Sequence, residues 1–235
     1  MTPRRFTCVV PVYNGARFLP EAVRTILDQT HRPLEILICD DGSEDRSREV
    51  AAELAASLSD EDTEIRSLIQ ERAGASAARN RGAREARGDL LAFLDVDDLW
   101  LPEKLSTQLE VLDRPDTDLS VTMLQNVWLD EVADEGERYC GHRLSLPMVG
   151  YLTQTLALAT DLFARIGPFR EDLRHSGDTE WIARAKLAGA RIHITPKVLV
   201  QRRLHRENMS RSTVEKAAEY LDLARALVAR GKKPT

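Results

Sequence analysis

Phe6-Thr7-Cys8-Val9-Val10-Pro11-Val12 is a short apolar run rich in β-formers, and the segment from Arg17 to Gln29 then places Phe18, Val23, Ile26 and Leu27 near helical spacing. That is a strand followed by a helix. The cycle repeats with Leu34-Glu35-Ile36-Leu37-Ile38-Cys39, a polar turn, and the alanine-rich helical stretch from Arg46 to Leu58. It recurs with a strand over Ile65 to Ile69 and a helix over Ser76 to Arg87, then with a strand over Leu90 to Leu94. Repeated strand-helix units imply an α/β fold: a Rossmann-like, mainly parallel, twisted sheet with helices on both faces.

After Pro102 the order changes. A helix to about Leu112 precedes a strand over Leu119-Ser120-Val121-Thr122-Met123-Leu124. From Asp130 to Gly150 the pattern is weak and polar, and Gly136, Gly141, Pro147 and Gly150 predict a long loop or short hairpin of the kind that holds specificity rather than core. Gly177 to Gly189 reads as a helix ended by glycine, Arg191 to Thr195 and Lys197 to Leu204 as strands, and Thr213 to Ala229 as an amphipathic terminal helix whose mixed-charge polar face favours packing on its own domain. No solenoid repeat and no long Ser/Gly linker interrupts the chain.

Composition narrows the partners. With 235 residues and 43% apolar content, one substantial core can be buried, and the expected layout is one domain over 1–211 followed by a helix and tail over 212–235. Against 33 basic residues stand 38 acidic ones, a net charge of −5, so binding to nucleic acid through bulk electrostatics is not expected. Any phosphate must be met locally. Cys8, Cys39 and Cys140 are odd in number, and two fall inside predicted buried strands, which argues for reducing conditions rather than a disulfide framework. Without a signal-peptide pattern or an apolar run long enough to span a membrane, the expectation is a cytoplasmic protein.

Candidate chemistry collects where the predicted strands end. Asp95-Val96-Asp97-Asp98 follows an apolar run directly, and carboxylates so crowded repel one another unless solvent, capping or a cation absorbs the charge. Taken alone, the cluster also fits a solvated turn in which Asp97 or Asp98 caps the next helix. The first strand exit, Tyr13-Asn14-Gly15, can frame a flat ligand or be an ordinary turn; at the second, Asp40-Asp41-Gly42-Ser43-Glu44-Asp45, Ser43 or Asp45 can simply cap a helix. The small-residue stretch from Arg72 to Gly82 admits close backbone approach at a helix N-terminus, and Arg79 there can reach a phosphate or lie on a solvated basic face. Four such features share one sheet edge, where open α/β sheets collect ligands.

In combined order, Val9-Val10-Pro11-Val12-Tyr13-Asn14-Gly15, Ile26-Leu27-Asp28-Gln29-Thr30, Asp40-Asp41-Gly42-Ser43, Ala78-Arg79-Asn80-Arg81-Gly82 and Ala92-Phe93-Leu94-Asp95-Val96-Asp97-Asp98-Leu99-Trp100 resemble the family 2 glycosyltransferases of the GT-A fold. The likeness is close over residues 1–110 and looser beyond, through Ser176-Gly177-Asp178-Thr179-Glu180-Trp181 and Arg203-Leu204-His205-Arg206-Glu207-Asn208-Met209-Ser210.

The resemblance implies a nucleotide-binding half over 1–110 and an acceptor-binding half over 111–211. Pro11, Val12 and Tyr13 would frame a base, Asp41 would hydrogen-bond it with Arg79 nearby, and Asp95 would face the ribose. Asp97 would hold Mn2+ or Mg2+ on the diphosphate, Asp98 would support it or cap a helix, and His205 would add a metal or diphosphate contact. Arg202 and Arg203 either neutralise phosphate or are solvated, and Trp181 is expected to pack against the sheet. Asp178 is the expected general base for an inverting transfer from a nucleotide-sugar, most commonly a UDP-sugar in this family, to an acceptor that is a saccharide, lipid, peptide or small molecule. Gly177 stands where many relatives carry an acid, which leaves Asp178 and Glu180 both open as the residue facing the acceptor. Two other classes remain in comparison: a catalytically silent sugar-nucleotide-binding module, and a nucleotidyltransferase, whose glycine-rich basic loop after the first strand is poorly matched by Tyr13-Asn14-Gly15-Ala16-Arg17.

Overall fold

The computed structural model describes residues 4–208. Phe6–Val12 (β1), Glu35–Asp41 (β2), Glu64–Gln70 (β3) and Leu90–Phe93 (β4) form a parallel half-sheet in the order β3-β2-β1-β4. Helices Leu19–Leu27 (α1), Ser47–Leu58 (α2) and Ala75–Glu85 (α3) make the connections. The second half adds Leu99–Trp100 (β5), Lys104–Leu112 (α4), Leu119–Trp128 (β6), Ala133–Arg138 (α5), Met148–Val149 (β7), Leu156–Ala159 (β8), Thr160–Ile166 (α6), Gly177–Leu187 (α7) and Ile192–Leu204 (β9). One sheet runs through both halves, in the order β3-β2-β1-β4-β8-β6-β9-β5 with β7 on β6. It is mixed and mostly parallel, because the long β6–β9 ladder is parallel while β8 runs antiparallel to both β4 and β6.

Apolar residues alternate between two cores. Val10, Val12, Ile36 and Ile38 face Leu19, Val23 and Ile26 of α1 and Leu105 of α4 on one side. Val9, Leu37, Cys39, Leu91 and Phe93 face α3, α6 and α7 on the other. Every residue of β1 and β2 is buried, as expected for strands covered on both faces, and each large apolar side chain so placed contributes about 1.5–3 kcal/mol. Gly82 lets α3 lie directly on β1, since a Cβ there would stand 2.4 Å from Val9 Cγ1. Trp181 is fully buried, stacked on Phe163 with its Nε1 donating to the Gly167 carbonyl, so it packs beneath the sheet.

Several elements depart from the sequence-based expectation. The two strands expected over 191–195 and 197–204 are one strand, β9. Pro196 lacks an N–H, and the ladder absorbs it by a register shift between the Thr122–Thr195 and Met123–Val198 pairs. The weak region over 130–150 holds α5 and the two-residue β7 between 3-10 turns. β8 and α6 were not marked by any pattern in the sequence. The predicted helix over Thr213–Ala229 and the tail lie outside the described residues. Cys8 and Cys39 are buried and Cys140 exposed, all three as free thiols. Among the described residues no helix is long and apolar enough to cross a membrane.

Candidate functional site

The ends of β1, β2, β4 and β9 meet at one edge of the sheet, and the loops leaving them are fastened to one another. Asn14, after β1, adopts a left-handed backbone (φ 49°), and its Oδ1 accepts from the Glu44 and Asp45 N–H groups while its own N–H donates to Ser43 Oγ. Asp45 in turn accepts from the Ser47 N–H at the head of α2, one position before the N-cap Arg46, whose side chain makes no capping hydrogen bond. Gly15 brings this loop against the aspartate-rich one, because a Cβ there would lie 2.8 Å from Val96 Cγ1.

Tyr13 lies under Arg72, whose guanidinium sits 3.7 Å from the ring centroid and also donates to the phenol oxygen. Pro11 and Val12 are buried within β1, so they offer backbone rather than side chain to anything bound at the edge. Asp41 is buried and accepts from the Ala73 and Gly74 N–H groups, each at 2.8 Å, and from Gln70 Nε2 at 2.8 Å. It thus shapes the loop entering α3, with one Oδ2 lone pair still available to a further donor.

Arg79 projects from α3 to the centre of this edge and donates to Asp95 Oδ1. Burial opposes its charge, yet the carboxylates of Asp95, Asp178 and Asp97 around it hold its pKa above the usual arginine value. Its Nε is buried without a hydrogen-bond partner, an uncommitted donor at the site.

The three aspartates after β4 occupy different environments. Asp97 Oδ2 accepts from Asn208 Nδ2 at 2.9 Å and from His205 Nε2 at 3.1 Å, while Arg203 Nε donates to the Asp97 carbonyl. Burial works against the Asp97 charge, but the hydrogen bond and charge of His205 outweigh it and hold the carboxyl below its ordinary range. Asp98 is buried and accepts from the Arg203 N–H and from Gln154 Nε2, each at 2.9 Å. Burial first, then the charges of Asp97 and Asp95, push its pKa well up, and its two hydrogen bonds anchor the aspartate loop to β9 and to Gln154.

Asp178 stands in the first turn of α7, where its Oδ1 accepts from the Thr179 N–H. Burial raises its pKa more than Arg79 and that N–H lower it. Glu180 is buried and gripped through both oxygens by Arg184 one turn on, at 3.2 and 3.0 Å. Gly177 has its own reason: a Cβ there would come within 2.8 Å of Ser76 Oγ, so the glycine admits α7 against the start of α3.

Sequence reasoning did not single out Arg17, Phe18 or Gln154. Arg17 Nη2 lies 3.3 Å from His205 Nδ1, the Phe18 ring packs against His205 at 4.7 Å, and Gln154 braces Asp98. Their partners are 188, 187 and 56 positions away, and nothing in the local pattern marks such pairs.

The family model for "Glycosyl transferase family 2" matches residues 7–169. The chain belongs to this family. Among curated relatives, an uncharacterised glycosyltransferase of Rickettsia prowazekii is 27% identical over 227 residues, covering 92% of this chain and 69% of the relative. The Escherichia coli UDP-Glc:alpha-D-GlcNAc-diphosphoundecaprenol beta-1,3-glucosyltransferase WfgD is 35% identical over 105 residues, covering 44% of this chain and 39% of WfgD. Among solved structures, the mannosyltransferase PcManGT from Pyrobaculum calidifontis in complex with GDP-Man and Mn2+ superposes with a TM-score of 0.75 at 20% identity, over 98% of this chain and 66% of that one. S. aureus TarS 1–349 in complex with UDP-GlcNAc gives 0.73 at 19%, over 96% and 66%. These likenesses fix the glycosyltransferase fold, GT-A in type. The chain spans about two thirds or less of the length of these curated relatives and structural neighbours.

Proposed function

We propose that this family 2 chain is an inverting glycosyltransferase that moves a sugar from a nucleotide-diphosphate sugar, a UDP-sugar first among them, to an acceptor hydroxyl. One observation carries the reading. Two carboxylates at one edge are tuned in opposite directions, Asp97 below and Asp178 above the ordinary range, with the Arg79 guanidinium among them. Sites that need a fixed anion and a proton acceptor together are built this way.

Asp97 suits a hard divalent cation, Mn2+ or Mg2+. Two donors occupy Oδ2, Oδ1 keeps lone pairs, and among the described residues no group of three His, Cys, Asp or Glu side chains could cage a metal alone. Such ions are commonly held by one or two carboxylates and completed by substrate phosphates and water. When bound, the cation would stabilise negative charge on the departing diphosphate. His205 would flank it. Asp95 and Arg79 would position the ribose and a phosphate oxygen, Tyr13 and the β1 backbone would frame the base, and Asp41 would hold the neighbouring loop or take one donor from the base.

Asp178 would take the acceptor proton. Its raised pKa brings the carboxylate closer to the basicity such a step requires, and Glu180, bound by Arg184, is poorly placed to compete. WfgD is named for UDP-Glc and a diphosphoundecaprenol-linked acceptor, so UDP-sugars and lipid-linked saccharides are the first compounds to try.

The test is a panel of nucleotide-sugars with and without Mn2+, scored for binding, hydrolysis and transfer by the parent, Asp97→Ala and Asp178→Asn. Asp97→Ala is expected to lose metal-dependent nucleotide binding. Asp178→Asn is expected to keep binding and lose transfer by a factor on the order of 10² or more. Unchanged metal-dependent binding in Asp97→Ala sinks the metal assignment; transfer by Asp178→Asn at the parent's rate moves the base elsewhere. Nucleotide-sugar binding by a parent that neither hydrolyses nor transfers the sugar favours a silent binding module.

A further inference from the structure

Asn80 follows Arg79 on α3, in the motif Ala78-Arg79-Asn80-Arg81-Gly82, and its polar side chain is fully buried. Its amide is directed at one stretch of chain. Oδ1 accepts from the Phe169 N–H at 2.8 Å, while Nδ2 donates to the Phe169 carbonyl and to Glu171 Oε1, each at 2.9 Å. A backbone N–H can only donate and a carbonyl can only accept, so Phe169 fixes which way the amide faces.

The stretch so held runs from the core to the site. Phe169 is buried with its ring against Phe93, Phe163 and Trp181, and at the far end Gly177 comes so close to α3 that a Cβ would stand 2.8 Å from Ser76 Oγ. Ser76 and Asn80 are one turn apart on α3, hence on one face and about 6 Å from each other along the axis. The segment 169–177 is therefore brought against one helix face at both ends, and Asp178 is the next residue.

We propose that Asn80 is a positioning residue for the transfer step: by tying Phe169 and Glu171 to α3, it holds Asp178 at a fixed place relative to Arg79. The proposal rests on the reading that Asp178 takes the acceptor proton. Arg79 stands on the same helix between these anchors, donates to Asp95, and feels the negative charge of Asp178. One helix thus carries the arginine of the donor side on one face and the anchors of the base on the adjoining face. Without the amide, the Phe169 N–H and carbonyl lose their buried partners, and the segment must shift to find others. A displacement of about 1 Å at a reacting group costs on the order of 10²-fold in rate. An aspartate of nearly the same shape does not serve, because it sets a second oxygen against the Phe169 carbonyl and the Glu171 carboxylate.

The test is a double-mutant cycle on the full chain, with Asn80→Ala and the near-isosteric Asn80→Asp each made in the parent and in Asp178→Asn. Binding of UDP with Mn2+ counts the folded sites, and kcat is expressed per site, starting from UDP-Glc and a diphosphoundecaprenol-linked GlcNAc acceptor. Both Asn80 variants are expected to keep the parent's UDP affinity and to lose kcat by a factor on the order of 10 to 100, with little further loss when Asp178 is already Asn. Amide hydrogen exchange over 169–177 should quicken in both while that of β1 and β2 stays at the parent's rate. A kcat per site equal to the parent's, the same fold loss in the Asp178→Asn background, or unchanged exchange over 169–177 each overturns the proposal. If Asp178→Asn itself matches the parent, the reading of Asp178 as base fails and the proposal falls with it, an outcome distinct from equal losses on top of an impaired Asp178→Asn.

Discussion

Lys104 is a charge placed where none is needed for the chemistry. It is fully buried on α4, with Nζ 2.6 Å from Gln108 Oε1, 3.5 Å from the Leu156 carbonyl and 4.0 Å from the centroid of the Trp100 ring. Burial pushes its pKa down from 10.5 to about 7. Between those values the unfolded chain binds the proton and the folded chain does not, so stability rises with pH across that window. One full proton of difference is worth about 1.36 kcal/mol per pH unit. At pH 7 the lysine therefore costs roughly 4 kcal/mol relative to a group that stays neutral, and raising the pH to about 8.5 recovers roughly 1.5 kcal/mol. Lys104→Met removes that penalty but leaves Gln108 Oε1 without its donor, a loss of about 1–3 kcal/mol. The variant should be about 2 kcal/mol more stable than the parent at pH 7. Urea unfolding at pH 7 and at about pH 8.5 measures both quantities; the thiols of Cys8 and Cys39, which begin to ionise in the unfolded chain near the upper pH, act equally in parent and variant and cancel in the comparison. Parallel pH dependences in parent and variant, or a variant less stable at pH 7, would refute the argument.

The remaining predictions concern the site and its supports. Asp178 must be ionised to accept a proton, so the acid limb of kcat/KM should lie above the ordinary aspartate value of 3.8 and move higher still in Arg79→Met, which removes the charge that lowers it; a limb at or below that value excludes Asp178. Gly82→Ala should cost about 1–3 kcal/mol in unfolding free energy, since its Cβ would meet Val9 Cγ1 at 2.4 Å, and an unchanged Tm would count against that close contact. Glu180→Gln should lower stability by about 1 kcal/mol, by loss of the Arg184 pair, and leave the transfer rate near the parent's; a large drop in kcat with intact stability would give Glu180 a role in catalysis.

What the sequence made legible follows from how local each signal is. β1 and β2 are continuous apolar runs because both of their faces are covered, and each ends in a turn whose side chains reach only a few positions along or across to the next loop. The aspartates at 95, 97 and 98 were visible as a cluster, but their separate characters come from Arg79, His205, Asn208, Arg203 and Gln154, which arrive from four other elements or loops. β8 was hidden for another reason: Leu156-Ala157-Leu158-Ala159 is four residues long, has no turn marker beside it, and is a strand because β4 and β6 supply partners on both sides. Pro196 misled in the opposite direction, breaking the local pattern of a strand that the β6 ladder keeps whole.

The place of β8 between β4 and β6 sets an order on synthesis. Leu91 leaves the ribosome long before Leu158, its antiparallel partner, so the growing chain carries Leu90-Leu91-Ala92-Phe93 as an apolar edge with one side unpaired. A nascent half-sheet of this kind can recruit a neighbouring chain's strand as readily as wait for its own, and a product halted before Leu156 is an aggregation hazard rather than a smaller enzyme. Gln154, which braces Asp98, emerges just ahead of that strand, and Arg203, His205 and Asn208 follow it. Closing the sheet and setting the aspartate loop are thus late events that share a stretch of translation.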